Sequence, residues 1–342
     1  MEKRVTVYDV AKEAGVSPAT VSRILTGSAA VSEPKRAAVE AVIQKYNYRP
    51  NLIARSLMTN QTKTIGFLLP DITNPFFSTM YFETEKCALQ QGYNIILANT
   101  MSDSKTEYSL LEMLTEKQVD AIVFMGGRVN AVYGRPNLID EMRNVVKTTP
   151  IVMINGKATG VDCYNVQTDE EDGMVQLVEF LISLGHRKIG ILGGQSSVTS
   201  TRIKYNVLRR VLHAHNLPCR DDWIVESGFS MESGAVATER LLDMTDDLPT
   251  VLIGISDMVA IGIMQVLQKR HIRVPQDISV AGFDDTHLAM ATNPNLTSVN
   301  HNYKEAGRLV VNTVIDLLAG RPVPKQQIVP TRLVVRDSCR MI

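Results

Sequence analysis

Between Val5 and Leu25 the chain reads VTVYDVAKEAGVSPATVSRIL. Val7, Val10, Ala11 and Ala14 recur at helical spacing and predict a short first helix with one apolar stripe. Gly15 breaks that pattern, and Val16 plugs a tight turn. Ser17 stands where an N-cap belongs, with Pro18 at the first helical position, where a missing N–H costs nothing. The second helix turns Val21, Ile24 and Leu25 inward and leaves Pro18, Ala19, Ser22 and Arg23 on its open face. After a small-residue loop at 26–31, Ser32 is the expected cap of a third helix carrying Val39, Val42, Ile43 and Tyr46 inward. Three helices ending near Tyr48 make a small all-α head. A Gly-containing turn of this length between two short helices predicts a helix-turn-helix, although an ordinary packed helix pair has the same spacing.

Pro50–Met58 carries Leu52, Ile53, Ala54, Ser56 and Leu57, poor linker residues that suit a short amphipathic helix. From Thr64 onward, continuous apolar runs alternate with amphipathic segments. Strands are expected at 65–69, 93–98, 121–125, 151–154, 189–192, 251–253 and 278–281. Helices are expected at 76–91, 104–117, 169–184, 202–215, 232–242 and 258–270. Continuous apolar strands alternating with helices imply parallel sheets covered on both faces. Seven of them over about 280 residues suit two doubly wound α/β lobes better than a (β/α)8 barrel.

Charge sharpens this picture. The 342-residue chain is neutral overall, yet residues 1–63 hold ten Lys or Arg against five acids, leaving 26 against 31 in the remainder. A basic head on an acidic body is the distribution expected of a head that meets phosphates. Four scattered cysteines without a CxxC fit a reducing compartment, and neither a secretory leader nor an apolar run of membrane-spanning length is visible, so a cytoplasmic protein is expected.

The VYDVAKEAGVSPATVSR run, followed by RPNLIARSL, resembles the DNA-binding head of the LacI/GalR family of bacterial transcriptional regulators. IGFLLPDITNP (65–75) and VDAIVFMGG (119–127) resemble the opening strands of that family's first core lobe, and GHRKIGILGG (185–194) those of its second. The resemblance implies a multidomain protein: a helix-turn-helix head at 1–49 and a hinge helix and linker at 50–63. It places a first lobe at 64–164 plus 298–325 and a second at 165–297 plus 326–342, like a periplasmic binding protein. Two hinge helices would pair on DNA, with Ala54 near the minor groove and Leu57 as an apolar wedge between base pairs. Arg23 would read a guanine, Pro18 and Ala19 would offer apolar contact, and Thr6, Tyr8, Ser17, Thr20 and Ser22 would hold phosphates. The partners implied are a near-palindromic double-stranded operator, a second copy of the chain and a small-molecule effector, a sugar or sugar derivative.

Small molecules bind beyond the C-terminal ends of strands in open α/β sheets. The candidates there are Asn74, Phe76, Phe77, Arg128, Asn155, Arg202, Ser256, Asp257 and Asp284, together with His301 after the crossover strand. By resemblance, Arg202 matches the arginine that clamps the effector and Asp284 an acid that binds ligand hydroxyls. Ser256-Asp257 stands where the family commonly has Asn-Asp, and His301 where a Gln often follows. VDAIVFMGG is locally like catabolite control proteins, which answer to a phosphoprotein. No metal-ligand spacing, nucleophile elbow, P-loop or GxGxxG is present, so neither an enzyme nor a cofactor is expected. A solute-binding protein is the competing reading, which the basic head argues against, and a sugar-metabolising enzyme is the other, which a turnover assay would reveal.

Overall fold

The computed structural model describes residues 5–26, 31–48, 61–133, 136–158 and 160–342. The hinge segment, with Ala54 and Leu57, lies outside the described residues. The chain divides into two compact units, Met1–Thr62 and Lys63–Ile342.

In the first unit, α1 (Val7–Glu13), α2 (Pro18–Thr26) and α3 (Glu33–Tyr46) follow the apolar spacing. Val10, Ala11, Val21, Val39 and Val42 form the buried centre. Gly15 holds the turn between α1 and α2 at φ +64°, a left-handed conformation that a side chain opposes. Ser32 precedes α3 but lends no side-chain hydrogen bond to it, and Tyr46 remains 41 % exposed beneath the Lys45 ammonium instead of joining the core.

The second unit is two α/β lobes. The first is a six-stranded parallel sheet of order β11-β5-β4-β3-β1-β2. Its strands are β1 (Thr64–Leu69), β2 (Asn94–Asn99), β3 (Ala121–Met125), β4 (Ile151–Ile154), β5 (Tyr164–Thr168) and β11 (Gln326–Val329). Alternate residues of β1 face opposite sides. Ile65, Phe67 and Leu69 pack in the cluster that takes in Met80 of α4 (Pro75–Gln90) and Val310 of α11 (Tyr303–Leu318). Leu68 joins Leu111 and Leu114 of α5 (Ser104–Glu116) on the other side, and α6 (Pro136–Val145) adds Met142 there.

The second lobe has four parallel strands, β7 (Ile224–Val225), β6 (Ile189–Leu192), β8 (Val251–Gly254) and β9 (Ser279–Ala281), in that order. They are covered by α7 (Glu170–Ser183), α8 (Thr199–Ala214), α9 (Met231–Met244) and α10 (Asp257–Lys269) around the buried Trp223. Antiparallel β10 (Ser298–Asn300) and β12 (Arg332–Val334) pair at the crossover between lobes.

The lobe boundaries differ from those expected. β5 pairs with β4, and β11 with β5, so the first lobe extends to Thr168 and reclaims 326–329. These strands carry Tyr164, Asn165, Gln167, Gln326 and Gln327. Their place at the half-exposed end of the sheet tolerates polar residues, and no continuous apolar run marks them. α8 begins at Thr199, three residues before the expected start.

Candidate functional site

The head offers a polar face built on helix starts. Thr6 closes a capping box on α1: its hydroxyl donates to Asp9 Oδ2 at 2.6 Å, and its N–H reaches the same oxygen at 2.9 Å. That hydroxyl is therefore held by the cap, whereas the Tyr8 ring beside it is 71 % exposed. Ser17 Oγ accepts from the Thr20 N–H at 3.2 Å and lies 2.9 Å from Thr20 Oγ1, the N-cap expected from the sequence. Along α2, Ala19 and Arg23 are exposed one turn apart, while Pro18, Thr20 and Ser22 are half-buried. The geometry is a helix whose first two turns present short side chains and one arginine outward.

The second unit holds a cavity of about 650 Å³ between its lobes, beyond the C-terminal ends of the parallel strands. The segment after β1 contributes Asp71, Asn74, Phe76 and Phe77, and the turn after β3 contributes Gly126, Gly127 and Asn130. Opposite stand Gln195, Ser200 and Lys204 after β6, Phe229, Ser256 after β8 and Asp284 after β9. Two of the expected residues are also helix caps. Asn74 Oδ1 accepts from the Phe76 N–H at 3.0 Å, and Ser256 Oγ accepts from the Val259 N–H at 3.4 Å. At one edge the lobes touch: Val132 N–H donates to the Ser197 carbonyl at 2.9 Å, and Ser200 N–H to Asn130 Oδ1 at 3.4 Å.

A buried charge cluster occupies the cavity wall. Lys204 Nζ lies 3.3 Å from Glu170 Oε1 and 4.1 Å from the Phe283 ring centre, with both charged side chains under 10 % exposed. Asp284 adjoins them in a strained backbone at φ +110°. Burial raises its carboxyl well above the usual range; Lys204 opposes that shift and Glu170 adds to it. His301 sits behind Asp284, fully buried, with Nε2 3.1 Å from Asp284 Oδ1 and Nδ1 2.7 Å from Thr168 Oγ1. Burial lowers its pKa to about 4, so the ring is neutral at pH 7. Nε2–H then donates to Asp284 while Nδ1 accepts from the Thr168 hydroxyl. The ring also packs on Phe76 at 4.8 Å. His301 thus positions Asp284 and is not itself a cavity-lining residue.

Of the expected effector residues, Asn74, Phe76, Phe77, Ser256 and Asp284 line the cavity. Four others do not. Arg128 turns inward to the buried carboxylate of Glu107 and the half-buried one of Glu141, because a guanidinium leaving solvent needs paired acids. Asn155 is used by Thr168, whose N–H donates to its Oδ1 at 2.7 Å across adjacent strand ends. Asp257, fully buried, accepts from the Thr286 N–H at 2.6 Å and from Ser298 Oγ at 2.5 Å, tying the β9 loop to β10. Arg202 is exposed and faces a separate cavity on the second lobe. Lys204, two positions further along α8, is the cation that reaches the cleft. Neither it nor Glu170 is among the residues expected at the strand ends. The signal was available: Lys204 falls on the buried stripe Thr201, Lys204, Tyr205, Leu208, Val211 of α8, where a charge needs a reason.

Comparison with known proteins agrees with this architecture. Residues 6–51 match the bacterial regulatory proteins of the lacI family, and residues 178–339 match a periplasmic binding protein-like domain. Catabolite control protein A of Priestia megaterium is 33 % identical over 339 residues, covering 98 % of this chain and 99 % of the relative. The crystal structure of the lac repressor dimer bound to operator and the anti-inducer ONPF superposes with a TM-score of 0.87 at 27 % identity, covering 99 % of this chain and all of the other. A complex of the transcriptional regulator CelR with cellobiose gives 0.71 at 26 % identity, covering 98 % and 100 %. A helix-turn-helix head, a two-lobed core and a relative of this identity across nearly the whole length place the chain in the lacI family of bacterial regulatory proteins.

Proposed function

We propose that the protein is a cytoplasmic, homodimeric transcriptional repressor that binds a near-palindromic operator and releases or grips it in response to a neutral carbohydrate in the cleft. The observation that carries this reading is the exposed Arg23 and Ala19 on α2, in a chain whose other unit encloses a polar cavity. Arg23 reads guanine O6 and N7, Pro18 and Ala19 meet a thymine methyl, and Tyr8, Ser17, Thr20 and Ser22 contact phosphates. Thr6 orders the start of α1 through its capping box. A symmetric dimer reads symmetric half-sites, and Ala54 and Leu57 of the hinge enter the minor groove between them.

The cleft favours a neutral, hydroxyl-rich ligand. Among the described residues, Asp71 and Glu170 stand against a single Lys204, so an anionic effector meets repulsion. Phe76, Phe77 and Phe229 supply apolar faces, and Asn74, Gln195 and Ser256 supply donors and acceptors. The structural neighbour CelR is itself a cellobiose complex. The test is a thermal-shift screen of neutral sugars, sugar phosphates and purines, followed by operator titration with each hit. A neutral sugar that both stabilises the protein and shifts operator affinity supports the reading. Stabilisation by anions or purines alone contradicts it.

A further inference from the structure

The two lobes are joined in two different ways. In one region the chain itself crosses, from β5 to α7, from β10 to α11 and from β11 to β12. Side chains reinforce these crossings: Thr331 Oγ1 donates to the Asp169 carbonyl at 2.8 Å, and the Thr168–His301–Asp284 chain runs through them. Elsewhere the turn after β3 meets the turn after β6 with no chain crossing. There Ala131 and Val198 form an antiparallel bridge, and the Val132 N–H donates to the Ser197 carbonyl at 2.9 Å. Asn130 supplies the rest. Its Oδ1 accepts from the Ser200 N–H at 3.4 Å, and its Nδ2 lies 3.5 Å from Ser200 Oγ.

Sheet order separates this seam from the crossings. It stands two strands in from them on both lobes, by the orders β5-β4-β3 and β9-β8-β6. Two strand spacings give a lever of about 10 Å. Each half of the seam is seated on its own lobe. Arg128, next to Val129 and Asn130, is held by Glu107 and Glu141, and its N–H reaches Glu107 Oε2 at 3.3 Å. The Val129 carbonyl accepts from the Lys157 N–H at 2.7 Å. On the other lobe the Ser196 N–H donates to Glu226 Oε2 at 3.1 Å, and the Gln195 N–H to Thr201 Oγ1 at 3.3 Å. Between these anchored halves stand one good backbone bond and two long ones, so the seam yields before either lobe does. Asn130, Ala131, Ser197, Val198 and Ser200 all line the cleft, and parting them opens its wall while the crossings act as the pivot.

We propose that this seam is the gate of the cleft: ligand enters and leaves by parting residues 130–132 from 197–200, and the strength of the seam sets the rate of exchange. The Arg128 cluster then holds the first-lobe half of the gate. This rests on reading the cleft as the effector site. The test uses a thiol reagent in place of an effector, so its failure leaves that reading untouched.

The Ala131–Val198 pair is the non-hydrogen-bonded kind, flanked by the Val132-to-Ser197 bond, with Cα atoms about 4.5 Å apart, which a disulfide spans. Ala131→Cys with Val198→Cys therefore locks the gate on oxidation. Ser256→Cys places a thiol of nearly the same size inside the cleft, at a buried position. Alkylation by iodoacetamide is followed peptide by peptide in the full-length protein, and the native Cys163, buried in the first lobe outside the cleft, reports local unfolding. The lock should slow alkylation at position 256 at least about tenfold and leave Cys163 unchanged. Asn130→Ala should speed it about two- to tenfold, the worth of a net hydrogen bond. Equal alkylation at position 256 with and without the lock would overturn the gate, because the reagent then enters by another route. Parallel changes at both thiols would overturn it too, since they report stability, and so would a cysteine pair that does not join on oxidation.

Discussion

Replacing Lys204 by Met removes the one cation that the described residues bring to the cleft wall, without opening a hole. The ammonium is 3.3 Å from Glu170, and the two side chains are 5 % and 7 % exposed. At an effective dielectric of about 20, a pair at that separation attracts by about 5 kcal/mol. Losing it leaves the Glu170 carboxylate buried without its partner. The expected loss of core stability is therefore about 3–4 kcal/mol, in the range seen when one member of a buried pair is removed. Trp223, the only tryptophan and fully buried in the second lobe, reports core unfolding by fluorescence in urea. Glu170→Gln in the same chain should recover most of the loss, because no charge then lacks its partner. A Lys204→Met protein within about 0.5 kcal/mol of wild type, or no rescue by Glu170→Gln, would show that the pair is not the buried contact described here.

Three further expectations concern other parts of the chain. Arg23→Ala should weaken specific operator binding by about 1–3 kcal/mol and relax discrimination at one base pair per half-site; in a gel-shift series on variant operators, equal loss on all sequences would make Arg23 a phosphate contact. Gly15→Ala adds a methyl group that meets nothing within 4 Å, so only the left-handed backbone resists it. It should cost the head about 1–2 kcal/mol, read as an earlier calorimetric transition of the head with the core transition unmoved. For His301, burial holds the folded pKa near 4 while the unfolded ring titrates near 6.5. Between those values the unfolded chain binds a proton that the folded chain excludes, so this group's stability contribution is lost as pH falls through that window. Urea unfolding at pH 7.5 and pH 5 should therefore show wild type losing about 2 kcal/mol relative to His301→Gln, and a pH-independent gap would refute the assignment.

What could be read from the sequence was whatever periodicity controls. β1, β3, β4, β6 and β8 are almost wholly buried apolar runs, and the helix-turn-helix follows from Gly15, Ser17 and the valine spacing. β5 and β11 escaped because YNVQT and QQIV lie where half the side chains face solvent, and the lobe boundary moved with them. The cleft as a place was legible from the strand ends. Its membership was not, since an Asn, Asp or Arg beyond a strand can line a cavity or satisfy a buried neighbour equally well. Asp257 and Arg128 took the second course because Ser298, Thr286, Glu107 and Glu141 arrive from distant parts of the chain. Arg202 and Lys204 are both basic and two residues apart, yet at 100° per residue they point to nearly opposite sides of α8.

If ligand in the cleft and operator on the head act through one equilibrium, a reciprocal titration shows it. Operator affinity is measured with and without a saturating sugar from the screen, and the affinity for that sugar is measured with and without operator. The two ratios should be equal, with a factor of about 5–150, and Lys204→Met should bind operator as wild type does yet show no shift. A sugar that binds the cleft with the same affinity whether or not operator is present would contradict it.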